Sequence, residues 1–229
     1  GSVSVSDNAN VAIEGSDLSF ICVGTPSLPN GDQDLTALLR LSEQIGAALR
    51  KKDDHQTIVV RSTVRPGTVE SEVIPILERG SGKKEGVDFS VCFQPEFLRE
   101  GSSIKDYDNP PMTVVGTNKS SGTDALREIF GHLPCGFFET DIKTAETLKY
   151  ACNAFHALKI TFANEVGRVC DSIGSDSIRV MDLLCEDAQL NISKAYLQPG
   201  FAFGGSCLPK DLRALNYIAK STDTEIPML

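Results

Sequence analysis

No run of roughly 18 consecutive apolar residues occurs in this chain, so no ordinary transmembrane helix is expected. The first residues hold neither a basic segment nor an apolar stretch behind one, so no secretory signal is expected there. No Lys/Arg cluster stands out against a formal net charge of −9, which argues against nucleic-acid and membrane-surface partners. No CxxC pair and no Cys/His ligand spacing organise the seven cysteines, an odd number that fits reduced thiols. A cytoplasmic location and no metal site are the corresponding expectations. Two nucleotide fingerprints are missing as well. There is no GxGxxG, and Gly80–Lys84 is not a phosphate-binding loop, because Leu77 stands at its first glycine position and Lys84 at its Ser/Thr position.

What is present is an ordinary globular composition, 41% hydrophobic and 23% charged, with room for one large domain or two smaller ones. The first ten residues are polar and start no recognisable domain. Apolar, β-branched runs then predict strands at Asp17–Gly24, Thr57–Thr63, Phe89–Phe93, Met112–Gly116 and Gly136–Thr140. Helices are predicted at Asp32–Lys52, at Thr68–Arg79 with a bend at Pro75, and at Thr123–Gly131. Such alternation means a mostly parallel sheet covered on both faces, and ligands bind open sheets of this kind beyond the carboxyl ends of the strands. Thr25, Thr63 and the Gln94-Pro95-Glu96 turn fall there.

From Asp141 to about Ile173 one long proline-free helix is predicted, with an apolar stripe of Leu148, Ala151, Phe155, Leu158, Phe162 and Val166. On another face Lys149, Asn153, His156 and Asn164 share an arc of about 80° at 100° per residue. Small or apolar neighbours on that arc (Cys152, Ile160, Ala163, Gly167) favour a lined pocket over a solvated surface. Helices at Asp176–Glu186 and from Leu208 to about Lys220 complete the chain. Between them lies GFAFGGSCLPKD (200–211), which sets Cys207 after a Gly-Gly-Ser turn at the mouth of a helix. The helix dipole and Lys210 favour thiolate there, as a nucleophile requires, while a small buried thiol is the plain alternative. Three features suit such a nucleophile: Glu96, with Glu100 on one face if that segment is helical, as a base for water; Lys149 and Asn153 as oxyanion donors; and Asp211, one turn past Cys207.

The segments ICVGTPS (21–27), RSTVRPGT (61–68), QPEFLREG (94–101), KYACNAFHALKITFANE (149–165) and GFAFGGSCLPKD (200–211) together resemble the nucleotide-sugar 6-dehydrogenase family, in the family order. The resemblance implies an incomplete Rossmann-like parallel sheet, a long connecting helix and an α-helical central domain. It divides the chain into residues 1–140, the remainder of an NAD-binding domain without its GxGxxG unit, and 141–229, a helical dimerisation and catalytic domain. A C-terminal nucleotide-binding domain of the family is expected to be missing. The implied reaction is a four-electron oxidation of a sugar C6 alcohol to a carboxylate with two NAD, through a thiohemiacetal and a thioester on Cys207. In it Glu96 activates water, Lys149 and Asn153 stabilise oxyanions, and Asp211, with Lys149 and Thr63, orders the water that takes the first proton. Thr25, Thr63 and Lys210 match cofactor positions. Glu100, Lys149, Asn153, His156, Asn164, Tyr196, Phe201 and Gly204 match substrate positions, some reaching across a homodimer interface. His156 and the FAFGGSCLPKD wording point to the GDP-mannose branch and an alginate-type pathway step. Gln198 and Ala195 depart from that branch's Arg and Tyr, and Gln94 from the usual Asn; glutamine supplies no charge for a phosphate. A UDP-sugar substrate such as UDP-glucose, and an inactive binding or dimerisation module, are the competing readings.

Overall fold

The structure is a computed structural model and describes residues 3–119, 122–193, 195–197, 199–200, 203, 205 and 207–229. By compactness the chain forms two units, Gly1–Cys152 and Asn153–Leu229. The first is built on a five-stranded sheet in sequence order: β1 (Leu18–Ile21), β2 (Gln56–Val60), β3 (Phe89–Phe93), β4 (Thr113–Thr117) and β5 (Phe137–Thr140). β1/β2, β2/β3 and β4/β5 pair in parallel, and β3/β4 antiparallel, which bears out a mostly parallel sheet.

Alternate strand residues feed two cores, as the two-residue period of a strand dictates. Ile58, Val60, Val91, Phe93 and Val114 pack on one side with α2 (Thr36–Leu49) and α3 (Ile74–Ser81), while Val59, Cys92 and Val115 pack with Leu126 and Phe130 of α5 (Thr123–Phe130). α2 and α3 meet at two glycines, where a Cβ added to Gly80 would lie 3.0 Å from the Gly46 Cα. Helices form at α1 (Ala9–Glu14) and α4 (Ser103–Asp108) that the periodicity did not announce, since six residues are too few to display it. The segment expected as one helix bent at Pro75 is helical throughout, with a π-helical turn, Val69–Val73, running directly into α3 and Pro75 near their junction. Proline has no N–H to bond backward, so the i→i−4 ladder is interrupted near the junction of the π-helical and α-helical turns.

The long helix, α6 (Ile142–Ile173), starts in the first unit. Its first turn lies against β4 at Gly116, where a Cβ would come within 2.7 Å of the Ala145 Cβ. One turn on, the fully buried Glu146 carboxylate accepts the Val69 N–H at 3.0 Å and the Gly67 N–H. The apolar stripe of α6 does not pack throughout: Leu148 joins the sheet core, but Phe155 and Leu158 are exposed. In the second unit α6 continues, followed by α7 (Ser177–Glu186) and α8 (Cys207–Ser221). There Val169, Ala219 and Ile226 form a small core, and buried Glu165 accepts the N–H groups of Met228 (2.8 Å) and Leu229 (3.0 Å).

Burial outweighs the hydrogen bonds to Glu146 and raises its pKa above the ordinary glutamate value. Glu146→Ala leaves one buried and one partly buried N–H group without an acceptor and is expected to lower stability by about 2–4 kcal/mol. Urea unfolding reads this as a fall in the midpoint. Because the folded pKa is raised, the gap from the parent protein is widest below the ordinary glutamate range and narrows as pH climbs through the raised value. An unchanged midpoint would remove Glu146 from the fold's supports.

Candidate active site

The carboxyl ends of β1 and β2 open into a cleft of about 370 Å³ lined by Cys22, Gly24, Thr25, Arg61, Thr63 and Glu96, among others. The two strand-end loops are tied together. Thr25 Oγ1 donates to the Thr63 carbonyl at 2.6 Å, Gln33 Nε2 donates to the same oxygen at 3.3 Å, and Ser62 Oγ donates to the Val23 carbonyl at 2.6 Å. A Cβ on Gly24 would meet nothing within 4 Å, so the backbone past β1 lies open to a ligand. An open backbone and threonines at neighbouring parallel strand ends fit a dinucleotide at this position.

Glu96 follows β3 and borders that cleft. Its segment, Gln94–Arg99, is not helical, so Glu96 and Glu100 do not share a helical face as the sequence spacing allowed. Pro95 holds the residue before it away from the helical region, and α4 begins only after Gly101, whose φ is +81°. Glu100 is exposed. The loop is instead clamped by buried Asp106, which accepts from the Arg99 N–H (2.9 Å), Arg99 Nε (3.0 Å) and Ser102 Oγ (2.9 Å) and, through its other oxygen, from Arg99 Nη2 (2.7 Å). These bonds, chiefly the one from Arg99, hold the Asp106 carboxyl far below the usual range.

Lys149 sits one turn past Glu146 on α6 and is 7% exposed. Its ammonium donates to the Glu96 carbonyl (2.6 Å) and to Glu96 Oε1 (2.9 Å), and lies 5.7 Å from the Phe97 ring centroid. Glu96 Oε2 accepts the Leu98 N–H at 2.7 Å. Burial pushes the Glu96 carboxyl upward, but the Lys149 bond, the Leu98 bond and the charges of Lys149 and Arg61 outweigh it, so its pKa is lowered. Thr25, Thr63, Glu96 and Lys149, far apart in sequence, are thus gathered at one end of the sheet. Arg61, from the same cluster, was missed by sequence reasoning; its signal was a cation immediately after β2 and before Thr63.

In the second unit Asn153, His156 and Asn164 are exposed on α6. Asn164 borders a groove with Gly167, Arg168, Ser177, Met181 and Asp182 on α6 and α7. Tyr196 is exposed with φ 62°, in the left-handed region. Phe201 and Gly204, with Gln198, lie outside the described residues. Cys207 is the first residue of α8 and is exposed, with Pro209 in the first turn. Asp211 pairs with Lys210 at 3.3 Å, both exposed. By contrast, burial pushes the Cys92 thiol up to about 11 and raises that of Cys152, which leaves both poor nucleophiles at neutral pH. Among the described residues no group of three or more His, Cys, Asp or Glu is arranged to hold a metal, and no helix is long and apolar enough to cross a membrane.

Residues 1–134 match the family model described as the NAD binding domain of the UDP-glucose/GDP-mannose dehydrogenase family, and residues 143–229 match that family's central domain. The chain is 52% identical over 229 residues to GDP-mannose 6-dehydrogenase of Pseudomonas aeruginosa, covering 100% of this chain and 52% of that protein. It is 50% identical over 222 residues to the enzyme of the same name from Azotobacter vinelandii, covering 97% of this chain and 51% of that one. A crystal structure of a ternary complex of the P. aeruginosa GDP-mannose dehydrogenase superposes with a TM-score of 0.96 over 97% of this chain and 51% of that chain, at 52% identity. A UDP-glucose dehydrogenase from Pyrobaculum islandicum follows at 0.76 and 36% identity, over 96% and 50%. The chain spans about half the length of the curated relatives it matches. On the match of both domain models, in order and over most of its residues, the chain belongs to the UDP-glucose/GDP-mannose dehydrogenase family.

Proposed function

We propose that this chain supplies the cofactor-binding and catalytic-cysteine portions of a GDP-mannose 6-dehydrogenase, which oxidises GDP-mannose to GDP-mannuronate of the kind used for alginate-type polysaccharides. The observation that carries the reaction is the buried Lys149 ammonium seated on Glu96 beside the strand-end cleft. A cation and a carboxylate so placed suit a reaction that develops an oxyanion and then needs a base. The choice of sugar nucleotide is supported by identities of 50–52% to GDP-mannose enzymes against 36% to the UDP-glucose enzyme. In this reading residues 1–140 hold the cofactor and residues 141–229 serve catalysis and homodimer formation.

Bound NAD supplies a hydride acceptor, and two such acceptances, four electrons in all, separate a primary alcohol from a carboxylate. Thr25 and Thr63 hold it at the strand ends, and Lys210 is the further contact that the family resemblance suggests. Asp211 and Thr63 order the water that takes the alcohol proton. The Cys207 thiolate adds to the aldehyde carbon, forming a C–S bond and keeping the carbon on the protein through the thiohemiacetal and thioester levels. Lys149 and Asn153 donate to the oxyanion of each tetrahedral species. Glu96 takes a proton from water as its oxygen bonds to the thioester carbon, and the C–S bond breaks to return the thiolate. Glu100, His156, Asn164, Tyr196, Phe201 and Gly204 are the proposed substrate contacts.

The tests use the complete protein. NAD reduction with GDP-mannose is expected to exceed that with UDP-glucose, and turnover of UDP-glucose alone would overturn the substrate assignment. Lys149→Ala is expected to lower kcat by about 10²–10³, the typical loss of one oxyanion donor; a change in KM alone would contradict that role. Glu96→Gln is expected to slow thioester hydrolysis by about 10²–10⁴ and to trap an acylated protein visible by mass spectrometry. Cys207→Ser should show no such adduct, and an unchanged yield of uronic acid from it would end the covalent reading.

A further inference from the structure

Glu96 is served by two cations, and they are held differently. Lys149 touches it directly, and in the proposed reaction the same ammonium must turn to the substrate oxyanion. Arg61 does not bond Glu96, yet both line the strand-end cleft and a small cavity bordered by Gln94, Phe97 and Tyr107. Its backbone is pinned, with the N–H donating to the Ile21 carbonyl of β1 at 2.9 Å. Its Nη1 donates to Gln94 Oε1 at 3.1 Å, and its guanidinium carbon lies 5.9 Å from the Phe130 ring centroid. Gln94 is buried and anchored in turn, its N–H donating to the Val60 carbonyl at 2.9 Å. The planar guanidinium is thus fixed on groups that take no part in the reaction, and its charge is permanent.

We propose that Arg61 is a positioning residue for Glu96: held by Gln94 and Phe130, it keeps a positive charge beside the carboxylate that remains when Lys149 engages the oxyanion. It rests on the reading of Glu96 as the base for thioester hydrolysis. A base must be ionised at the moment water attacks, and a carboxylate that loses its only cation in a half-buried site gains a proton more readily. Arg61 prevents that loss from being complete. The other titratable groups bordering these spaces are Cys22 after β1, and Asp106 and Tyr107 on α4. Asp106 is committed to Arg99, which leaves Lys149 and Arg61 as the cations that act on Glu96.

The experiment is a ¹³C-carboxyl NMR titration of Glu96 in this chain, its resonance assigned by its absence in Glu96→Gln. Arg61→Gln is expected to move the Glu96 midpoint upward, and Arg61→Lys to leave it near the parent value. Arg61→Met, which keeps an aliphatic stem against Phe130, serves where the glutamine variant does not fold. Gln94→Ala reports on the scaffold alone and is expected to shift the midpoint less than Arg61→Gln. An unmoved midpoint in the neutral variants overturns the proposal, and so does an equal shift in Gln94→Ala and Arg61→Lys, which would make the effect structural. Hydrolysis by Glu96→Gln at the parent rate would instead defeat the base reading, a separate outcome that removes the proposal's purpose even if the titration shifts.

Discussion

The end of the sheet that carries the candidate site depends on one buried carboxylate. Glu146, fully buried, accepts the amides of Gly67 and Val69 and so fixes the start of α6 to the loop that follows β2. Gly116 allows the same stretch of helix to lie directly on β4. With the helix phase set at both points, Lys149 three residues later meets Glu96, 53 positions away in sequence. A slip of one residue along α6 would turn Lys149 by about 100° and part the pair. The meeting of Lys149 with Glu96 therefore depends on the phase of α6.

A comparable device recurs in the second unit, where Glu165 accepts the amides of Met228 and Leu229. Burying carboxylates costs solvation, and each is offset by two backbone donors that would otherwise lack partners. The stretch between them is packed differently. Phe155, Leu158 and Ile160 are exposed there, so α6 is anchored near Glu146 and Glu165 rather than along its whole length.

The strands were readable because β-branched runs such as Thr57–Val60 and Phe89–Phe93 are buried on both faces and need no partner to be recognised. The long α6 was readable from uninterrupted apolar periodicity. The two six-residue helices were not, and neither was the π turn before Pro75, whose geometry follows from tertiary anchoring rather than from local preference. In the second unit, glycine and proline around Cys207 pointed to a helix mouth, and the helix does begin there. The meeting of Glu96 and Lys149 is a long-range contact that spacing alone does not encode; family resemblance implied only that both serve one reaction. The Arg99–Asp106 clamp was hidden because it belongs to a loop with no regular secondary structure, whereas the helical reading paired Glu96 with Glu100.

The π turn that opens at Val69 has one more consequence. Amides at the mouth of such a turn need acceptors, and the adjoining surface hollow is bordered by Arg65 and Lys143 together with Glu70 and Glu72. Here Glu146 occupies two of those amides as an internal counter-ligand, and Arg65 is answered by Asp32 and Glu72. The protein has in effect filled this berth with its own anion. Two of the amide donors at this face are therefore answered within the chain, whereas the backbone at Gly24 is left uncovered.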